Sequence, residues 1–340
     1  MRGAGGSLVG LAFLCAACAG AVVTGPDDRT DPVRNFDQLW TEFDGYYSFF
    51  TLDQIDWDAL YRLYRPDVTS TMSPASLFAV MAAMLDSLHD GHVSLHAPFA
   101  DHYYTAQFER APRNFDFTIV AQGYLSGAGR TAQGLRYGRI DQTIGYVWIP
   151  SFGGNDLAAD MDDALAHLEP MQALVVDVRD NEGGSDLNST PMAGRLADVA
   201  RLYQFVQYRN GPAHDDFTAL RADSVRPEGP SQFTGPIALL TNRRTYSAAE
   251  DFALALRAMP YVVTIGDTTG GGAGNPIARE LSNGWSYRIP RWIAYAADTT
   301  SYQGIGLPPD STVWITPEDA AQSRDPILET AIAILQGGTR

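Results

Sequence analysis

Lysine is absent from this chain, because all 24 basic residues among its 340 residues are arginine. Arginine stays protonated in proteins and cannot act as a general base. The absence excludes serine-lysine hydrolase mechanisms and lysine Schiff bases. If a serine nucleophile is activated in this protein, one of the six histidines must activate it.

Positive charge is scarce overall, since 40 acidic residues give the chain a formal net charge of −16 at pH 7. Nucleic acids and anionic membrane surfaces bind clustered positive charge, so we expect neither as a partner. The nearest thing to a basic patch is the pair Arg243 and Arg244. Two arginines on a turn are more often solvated than functional, but they could bind a substrate carboxylate.

Cysteine is nearly absent, and the two present, Cys15 and Cys18, both lie near the N-terminus. The rest of the chain therefore has no disulfide and no cysteine metal site. A charged start, an apolar run over 7–17 and small residues around Cys18 predict an export signal over 1–18 that is too short to span a membrane. It resembles a bacterial lipoprotein signal, which would put a lipid anchor on Cys18 and the protein on the periplasmic side of the cell envelope. Ordinary signal cleavage after Ala19 is the alternative.

The remaining chain divides by pattern into four parts. Residues 19–34 are predicted to be a tether, and 35–95 a small helical domain because apolar residues recur three and four positions apart. Residues 96–143 are predicted to be a short strand and turn connection. Over 144–340 buried strands alternate with helices, which predicts an α/β catalytic domain with a largely parallel sheet. Strands are expected at 145–152, 173–178, 237–240 and 261–265, helices at 157–168, 192–200, 248–259 and 327–335, and a hairpin around Asn283-Gly284.

The most informative stretch is the junction at Ser247, where a buried strand runs through a polar turn into a helix. Ser247 and Glu250 match the S-x-x-E capping box, which satisfies backbone donors and requires no chemistry. The same junction would also present a hydroxyl at a helix N-terminus, where backbone N–H groups can bind an oxyanion. The two roles are compatible.

Two glycine-bearing loops follow predicted strands. In the first, Gly183-Gly184 could serve only a turn with positive φ, or could bring a backbone amide to a developing oxyanion. The second, over 270–274, lacks the spacing and the following helix of a dinucleotide-binding loop.

His92 is the candidate base, because it lies where a helix ends at Gly91 and an extended segment begins. An isolated histidine is more often structural than catalytic. His89, Asp90 and His92 could also be metal ligands, although three close residues without a fourth partner nearby are a weak zinc signal.

These motifs together resemble one family, the C-terminal-processing (tail-specific) serine peptidases, on the tricorn-core and interphotoreceptor retinoid-binding branch. The resemblance covers about residues 35–336. It implies a Clp-protease/crotonase-like α/β core behind a small helical N-terminal domain. The motifs occur in the order Asp56-Trp57, Leu88-x-Asp90-Gly91-His92, Asp177-x-Arg179-x-Asn181-x-Gly183-Gly184, Ser247-Ala248-Ala249-Glu250 and Gly306-Leu307-Pro308-Pro309-Asp310.

The resemblance also implies roles for individual residues. Ser247 would attack the substrate carbonyl and His92 would take its proton, with no metal or organic cofactor. The amides of Ala248 and of Gly183 or Gly184 would form the oxyanion hole. Gln303 stands where the family has the acid that orients the histidine, which predicts slow catalysis.

Three further departures from the family pattern are present. Gly271-Gly272 replaces the lysine of the serine-lysine branch, Gly91 replaces a serine before the histidine, and 96–143 leaves no room for a PDZ module. The sequence thus predicts an exported serine peptidase acting on peptides or unfolded protein segments. The alternatives are a catalytically silent ligand- or peptide-binding module on the same fold and a small-ester hydrolase.

Overall fold

The computed structural model describes residues 28–109, 111 and 114–337. Its N-terminal part is helical, as the apolar spacing predicts, because two helices pack aromatic side chains against each other and a third adds Leu77, Met81 and Met84 to the same core. Asp56 and Ser73 cap the second and third of these helices by accepting a first-turn N–H. The first begins at Pro32 after the Asp31 cap, three residues before the predicted start. The helices are α1 (Pro32–Tyr46), α2 (Trp57–Tyr64) and α3 (Pro74–Asp86).

A seven-stranded sheet forms the centre of the molecule. Its strand order is β14-β10-β9-β6-β5-β4-β3, parallel from β14 to β5 and antiparallel from β5 to β3. The strands are β3 (Ser126–Arg130), β4 (Arg136–Arg139), β5 (Ile144–Trp148), β6 (Ala173–Asp177), β9 (Ile237–Thr241), β10 (Val262–Gly266) and β14 (Ser311–Thr312).

Helices cover both faces of this sheet, so its central strands are apolar throughout. Leu174 and Leu239 pack into the cluster that contains the helix after β9, whereas Val175 and Leu240 pack into the cluster of the C-terminal helix. The remaining helices are α4 (Ala106–Glu109), α5 (Phe117–Gly123), α6 (Leu157–Leu168), α7 (Asp186–Gly194), α8 (Ala248–Arg257), α9 (Pro317–Ala321) and α10 (Pro326–Leu335).

Two smaller antiparallel sheets complete the fold. One has the order β11-β12-β1-β2 and joins the segment after α3 to the C-terminal half, and the other has the order β13-β7-β8. The Asn283-Gly284 hairpin is confirmed between β11 and β12, with Gly284 at φ +85°. The strands are β1 (Ser94–Ala97), β2 (Ala100–Tyr103), β7 (Arg201–Tyr208), β8 (Arg221–Val225), β11 (Pro276–Glu280), β12 (Ser286–Pro290) and β13 (Trp292–Ala296).

The predicted α/β class is confirmed, and in the described part of residues 96–143 β3 and β4 extend the main sheet, so no PDZ module is inserted there. The helix predicted at 192–200 is wrong, because Ser185 caps a helix that ends at Gly194. Leu196 and Ala197 after that helix are buried outside any helix, whereas Val199 is exposed.

Candidate active site

Ser247 occupies a strained position between β9 and α8. Its backbone torsions are φ 57° and ψ −127°, which only glycine adopts readily. Such a conformation costs about 1–3 kcal/mol and persists only where the surrounding structure enforces it. Ser247 is half-buried.

Glu250 is the group that enforces this conformation. Its carboxylate accepts the N–H of Ser247 at 3.0 Å, as the predicted capping box requires. It also accepts the hydroxyl of Thr269 at 2.5 Å and the N–H groups of Gly271 at 2.8 Å and Gly272 at 2.7 Å. Burial raises its pKa to about 7 despite these donors. Glu250 therefore links the glycine-rich loop over 270–274 to the backbone of Ser247.

The loop after β6 is tied to the same junction. Asp180 and Asn242 exchange two hydrogen bonds of 2.8 and 3.0 Å, and the N–H of Tyr246 donates to the carbonyl of Asn181 at 3.0 Å. Arg179 is fully buried and anchors this loop by ion pairs to Asp177 at 2.6 Å and to Asp325 at 2.9 Å.

The predicted oxyanion-hole residues lie together. Gly183 has φ +97°, and a Cβ atom there would lie 2.8 Å from the Cβ of Ser247 and 3.0 Å from the amide nitrogen of Ala248. The N–H of Gly183, however, already donates to the side chain of Asn181 at 2.9 Å. Among the described residues, no hydrogen bond uses the N–H of Ala248 or of Gly184. Ala248 and Gly184 also line one cavity together with Ser247.

His92 lies against this junction through its neighbour Tyr246. The two rings are 4.7 Å apart between centroids, and the Tyr246 hydroxyl is 3.5 Å from His92 Nδ1. His92 Nε2 is buried without a hydrogen-bond partner. No hydrogen bond between His92 and Ser247 is present in the described part of the chain. Burial, assisted by the charge of Arg288, lowers the pKa of His92 to about 3, so the imidazole is neutral at pH 7 and burial disfavours its protonated form.

Asp90 is the carboxylate beside His92. Its Oδ1 accepts the backbone N–H of His92 at 2.8 Å and lies 4.0 Å from Nδ1, while its Oδ2 accepts the Tyr47 hydroxyl at 3.1 Å. Gln303 lies beside Asp90, where its amide acts to lower the pKa of that carboxyl, and its Oε1 accepts the N–H of Ala273 at 2.9 Å. Gln303 is thus a neighbour of the carboxylate that faces the histidine.

A cavity of about 200 Å³ opens beside Ser247 and is lined by Gly184, Ala248, Asp186, Asp251 and Arg288 among others. A larger hollow of about 870 Å³, near Tyr302 and the start of β7, contains none of the predicted site residues.

The two arginines predicted to bind substrate do not line the cavity beside Ser247. Arg243 lies 3.6 Å from Asp267, and Arg244 pairs with Glu182 at 3.0 Å. Sequence reasoning missed Asp251 and Arg288. The signal for Asp251 was present, because residues i and i+4 of a helix share one face and Asp251 follows Ser247 by four positions.

Within the described ranges, no three His, Cys, Asp or Glu side chains are arranged to hold a metal ion. No described helix has both the length and the apolar character needed to cross a bilayer. Cys18, the predicted lipidation site, lies outside the described residues.

Comparison with known proteins supports the resemblance drawn from the motifs. The peptidase family S41 model matches residues 143–313, and the tricorn protease C1 domain model matches residues 28–86. The carboxy-terminal processing protease CtpA of Bacillus subtilis is 29% identical over 169 residues, which are 48% of this chain and 34% of that protein. The chain spans about a third or less of the length of the curated relatives it matches.

Solved structures share the fold along most of the chain. A peptidase from Parabacteroides merdae is 36% identical with a TM-score of 0.80, covering 90% of this chain and 96% of that one. Mature CPAF complexed with lactacystin is 11% identical with a TM-score of 0.69, covering 91% and 98%. With half of its length matched by the family model and a full-length structural relative at this identity, the chain belongs to peptidase family S41.

Proposed function

We propose that this protein is an exported serine peptidase that hydrolyses peptides or unfolded protein segments, with Ser247 as nucleophile and His92 as general base. The observation that carries the proposal is the strained backbone of half-buried Ser247, which lines one cavity together with Ala248 and Gly184, whose N–H groups make no hydrogen bond in the described structure. Strain of this kind clusters at catalytic positions.

The chemistry follows from these positions. Ser247 Oγ attacks the substrate carbonyl carbon while His92 Nε2 takes the hydroxyl proton. The oxyanion that forms accepts hydrogen bonds from the N–H groups of Ala248 and Gly184. The imidazolium then gives its proton to the leaving amine, and a water molecule releases the acyl group by the same steps. His92 Nε2 has no competing partner, and such bonds often tighten only when substrate is bound.

We further propose that Asp90 orients His92 and that Gln303 is a positioning residue that acts through Asp90. A carboxylate that accepts the Nδ1 proton fixes the imidazole tautomer and stabilises the imidazolium. Asp90 lies 4.0 Å from Nδ1, and the Gln303 side chain lies beside Asp90 and acts to lower its pKa. The glutamine at this position is then compatible with turnover.

Export and anchoring remain part of the proposal through Cys18. Replacing Cys18 by serine should release the protein from the membrane fraction if Cys18 is lipidated. A wild-type protein that is already soluble, with Ala19 or Gly20 as its first residue, would contradict the anchor.

Fluorophosphonate labelling combined with peptide turnover tests the mechanism. Wild-type protein should be labelled stoichiometrically and should cleave a protein substrate such as unfolded casein. Ser247→Ala should abolish both, and His92→Ala should lower turnover by at least about a hundredfold. His89→Ala, a matched replacement of a nearby histidine, should change neither. Absence of labelling and turnover in the wild type would leave a ligand-binding module on the same fold, whereas turnover of esters without peptides would identify a small-ester hydrolase.

A further inference from the structure

The cavity beside Ser247 contains two acidic side chains that the proposed mechanism does not use. Asp251 lies one turn after Ser247 on α8, and Asp186 is the first residue of α7. Both line the cavity of about 200 Å³ together with Ser247, Ala248 and Gly184. The acids therefore share a surface with the nucleophile and with both proposed oxyanion donors.

Asp251 is buried to an unusual degree for a carboxyl group without an ion pair. It is 8% exposed, and its Oδ1 accepts the Tyr302 hydroxyl at 3.4 Å. No other hydrogen bond or ion pair involves its side chain among the described residues. Burial, with Asp186 and Glu250 nearby, raises its pKa to about 8. A carboxyl group in this environment is stabilised in its charged form by an incoming cation.

The other walls suit a long side chain with a charged end. Trp292 and the backbone of Gly272 and Gly274 line the same cavity, and Trp292 is nearly buried. An aliphatic stem can pack on such a surface while its head group reaches a carboxylate. Arg288 also lines the cavity, and its charge acts on His92, which indicates that it lies towards the base. It does not pair with Asp251 in the described structure.

We propose that this cavity binds the side chain of the residue that precedes the scissile bond, and that Asp251, assisted by Asp186, selects a guanidinium or ammonium group there. The inference rests on the proposed function, because it takes Ser247 as the nucleophile. When the carbonyl carbon is bonded to Ser247 and its oxygen lies at Ala248 and Gly184, the adjacent side chain is directed into the space that these three residues border. A substrate with arginine or lysine at this position then pairs with Asp251.

Matched peptides that differ only in the residue before the scissile bond test the selection. The residues are arginine, lysine, leucine and citrulline, which has the shape of arginine without its charge. Wild-type kcat/KM should be at least about tenfold higher for arginine than for citrulline, because truncating one side of a buried charge pair has effects of that size or more. Asp251→Asn should remove this preference and leave citrulline and leucine peptides unchanged.

Two further variants test the selection of a cationic side chain by these acids. Asp186→Asn should reduce the preference in part, and it serves where Asp251→Asn fails to fold. Asp163→Asn, which removes an exposed acid from α6, should leave the preference intact. Equal kcat/KM for arginine and citrulline in the wild type, or an equal loss on all four peptides in Asp251→Asn, would overturn the inference.

Benzamidine binding separates this inference from the proposed function. The amidine needs the cavity but not the nucleophile, so calorimetry should find equal affinity in wild type and Ser247→Ala and at least about tenfold weaker binding in Asp251→Asn. If fluorophosphonate does not label Ser247, the catalytic proposal fails. The benzamidine affinities then still test whether the cavity binds a cation. Equal benzamidine affinity in wild type and Asp251→Asn, or no binding to either, would refute the acidic pocket.

Discussion

The Glu250 carboxylate accepts the backbone N–H of Ser247 at 3.0 Å and, with its other oxygen, the N–H of Gly271 at 2.8 Å. One buried side chain thus joins the start of α8 to the glycine-rich loop after β10. The strained torsions of Ser247 are held by a group that is itself enclosed on all sides, since Glu250 is fully buried.

Replacing Glu250 by glutamine should loosen this junction. The amide nitrogen cannot accept the N–H groups that the second carboxylate oxygen accepts, so at least one buried donor loses its partner. We expect a loss of about 1–3 kcal/mol in the free energy of unfolding, together with slower fluorophosphonate labelling. Urea denaturation measures the first effect. Glu318→Gln, at an exposed position, should change neither quantity, and a Glu250→Gln protein as stable as wild type would contradict the enforcing role.

Comparing glycine with alanine at position 247 should separate the effect of backbone strain on stability from the loss of the catalytic hydroxyl. Ser247→Gly relieves the positive φ, whereas Ser247→Ala retains it. Relief of about 1–3 kcal/mol exceeds the 0.5–1 kcal/mol that glycine costs in chain entropy, so the glycine variant should be more stable than the alanine variant by roughly 1 kcal/mol. Denaturant midpoints compare the two, and both variants should be inactive. A less stable glycine variant would show that the backbone at Ser247 is not strained.

The decrease in kcat/KM at acidic pH should reflect protonation of Asp90. Burial raises the pKa of Asp90 to about 6, whereas the pKa of His92 is lowered to about 3. As the pH falls through about 6, Asp90 takes up a proton and no longer stabilises the imidazolium, so kcat/KM should decrease there. A pH–rate profile measures the decrease. Asp90→Asn should lower kcat and abolish this pH-dependent decrease. If the decrease persists unchanged in the variant, the group that titrates is His92 and not Asp90.

Glutamate at position 303 should shift that decrease to higher pH. The Gln303 amide acts to lower the pKa of Asp90, whereas an ionised glutamate would raise it, because a second buried carboxylate disfavours ionisation of the first. We expect Gln303→Glu to move the apparent pKa of activity above 6 and to lower kcat/KM at pH 7. A rise in kcat/KM of tenfold or more would instead mean that residue 303 orients His92 directly.

Stability should decrease as the pH rises from about 6.5 to 8. The pKa values of Glu250 and Asp251 are raised from 4.5 and 3.8 to about 7 and about 8, so across this window the folded protein binds protons that the unfolded chain has released. The lowered pKa of His92 acts in the opposite direction, but only between its folded value of about 3 and its ordinary 6.5. Each proton contributes at most about 1.4 kcal/mol per pH unit.

Urea midpoints at several pH values test this expectation. The slope against pH should be smaller in Asp251→Asn than in wild type, while Asp163→Asn should retain the wild-type slope. A midpoint that rises between pH 6.5 and 8 in the wild type would contradict the burial of these two acids.

Local pattern was sufficient for much of the molecule. The apolar runs predict β5, β6, β9 and β10 because strands buried on both faces are apolar throughout. The S-x-x-E spacing indicates the start of α8, and the missing lysine restricts any base to histidine. These features depend on residues close together in the chain, so the sequence alone carries them.

Tertiary structure decided which distant residues meet. Gln303 stands where the family pattern has an acid. In the folded protein it lies beside Asp90, although the two residues are more than two hundred positions apart in the chain. The three-stranded sheet of β7, β8 and β13 joins segments too far apart for periodicity to connect. In the sequence Asp251 resembles any acidic residue in the first turn of a helix. Its burial follows from the packing of α7 against α8. Burial in that packing raises the pKa of its carboxyl group to about 8, and no local pattern predicts this because desolvation depends on residues distant in the chain.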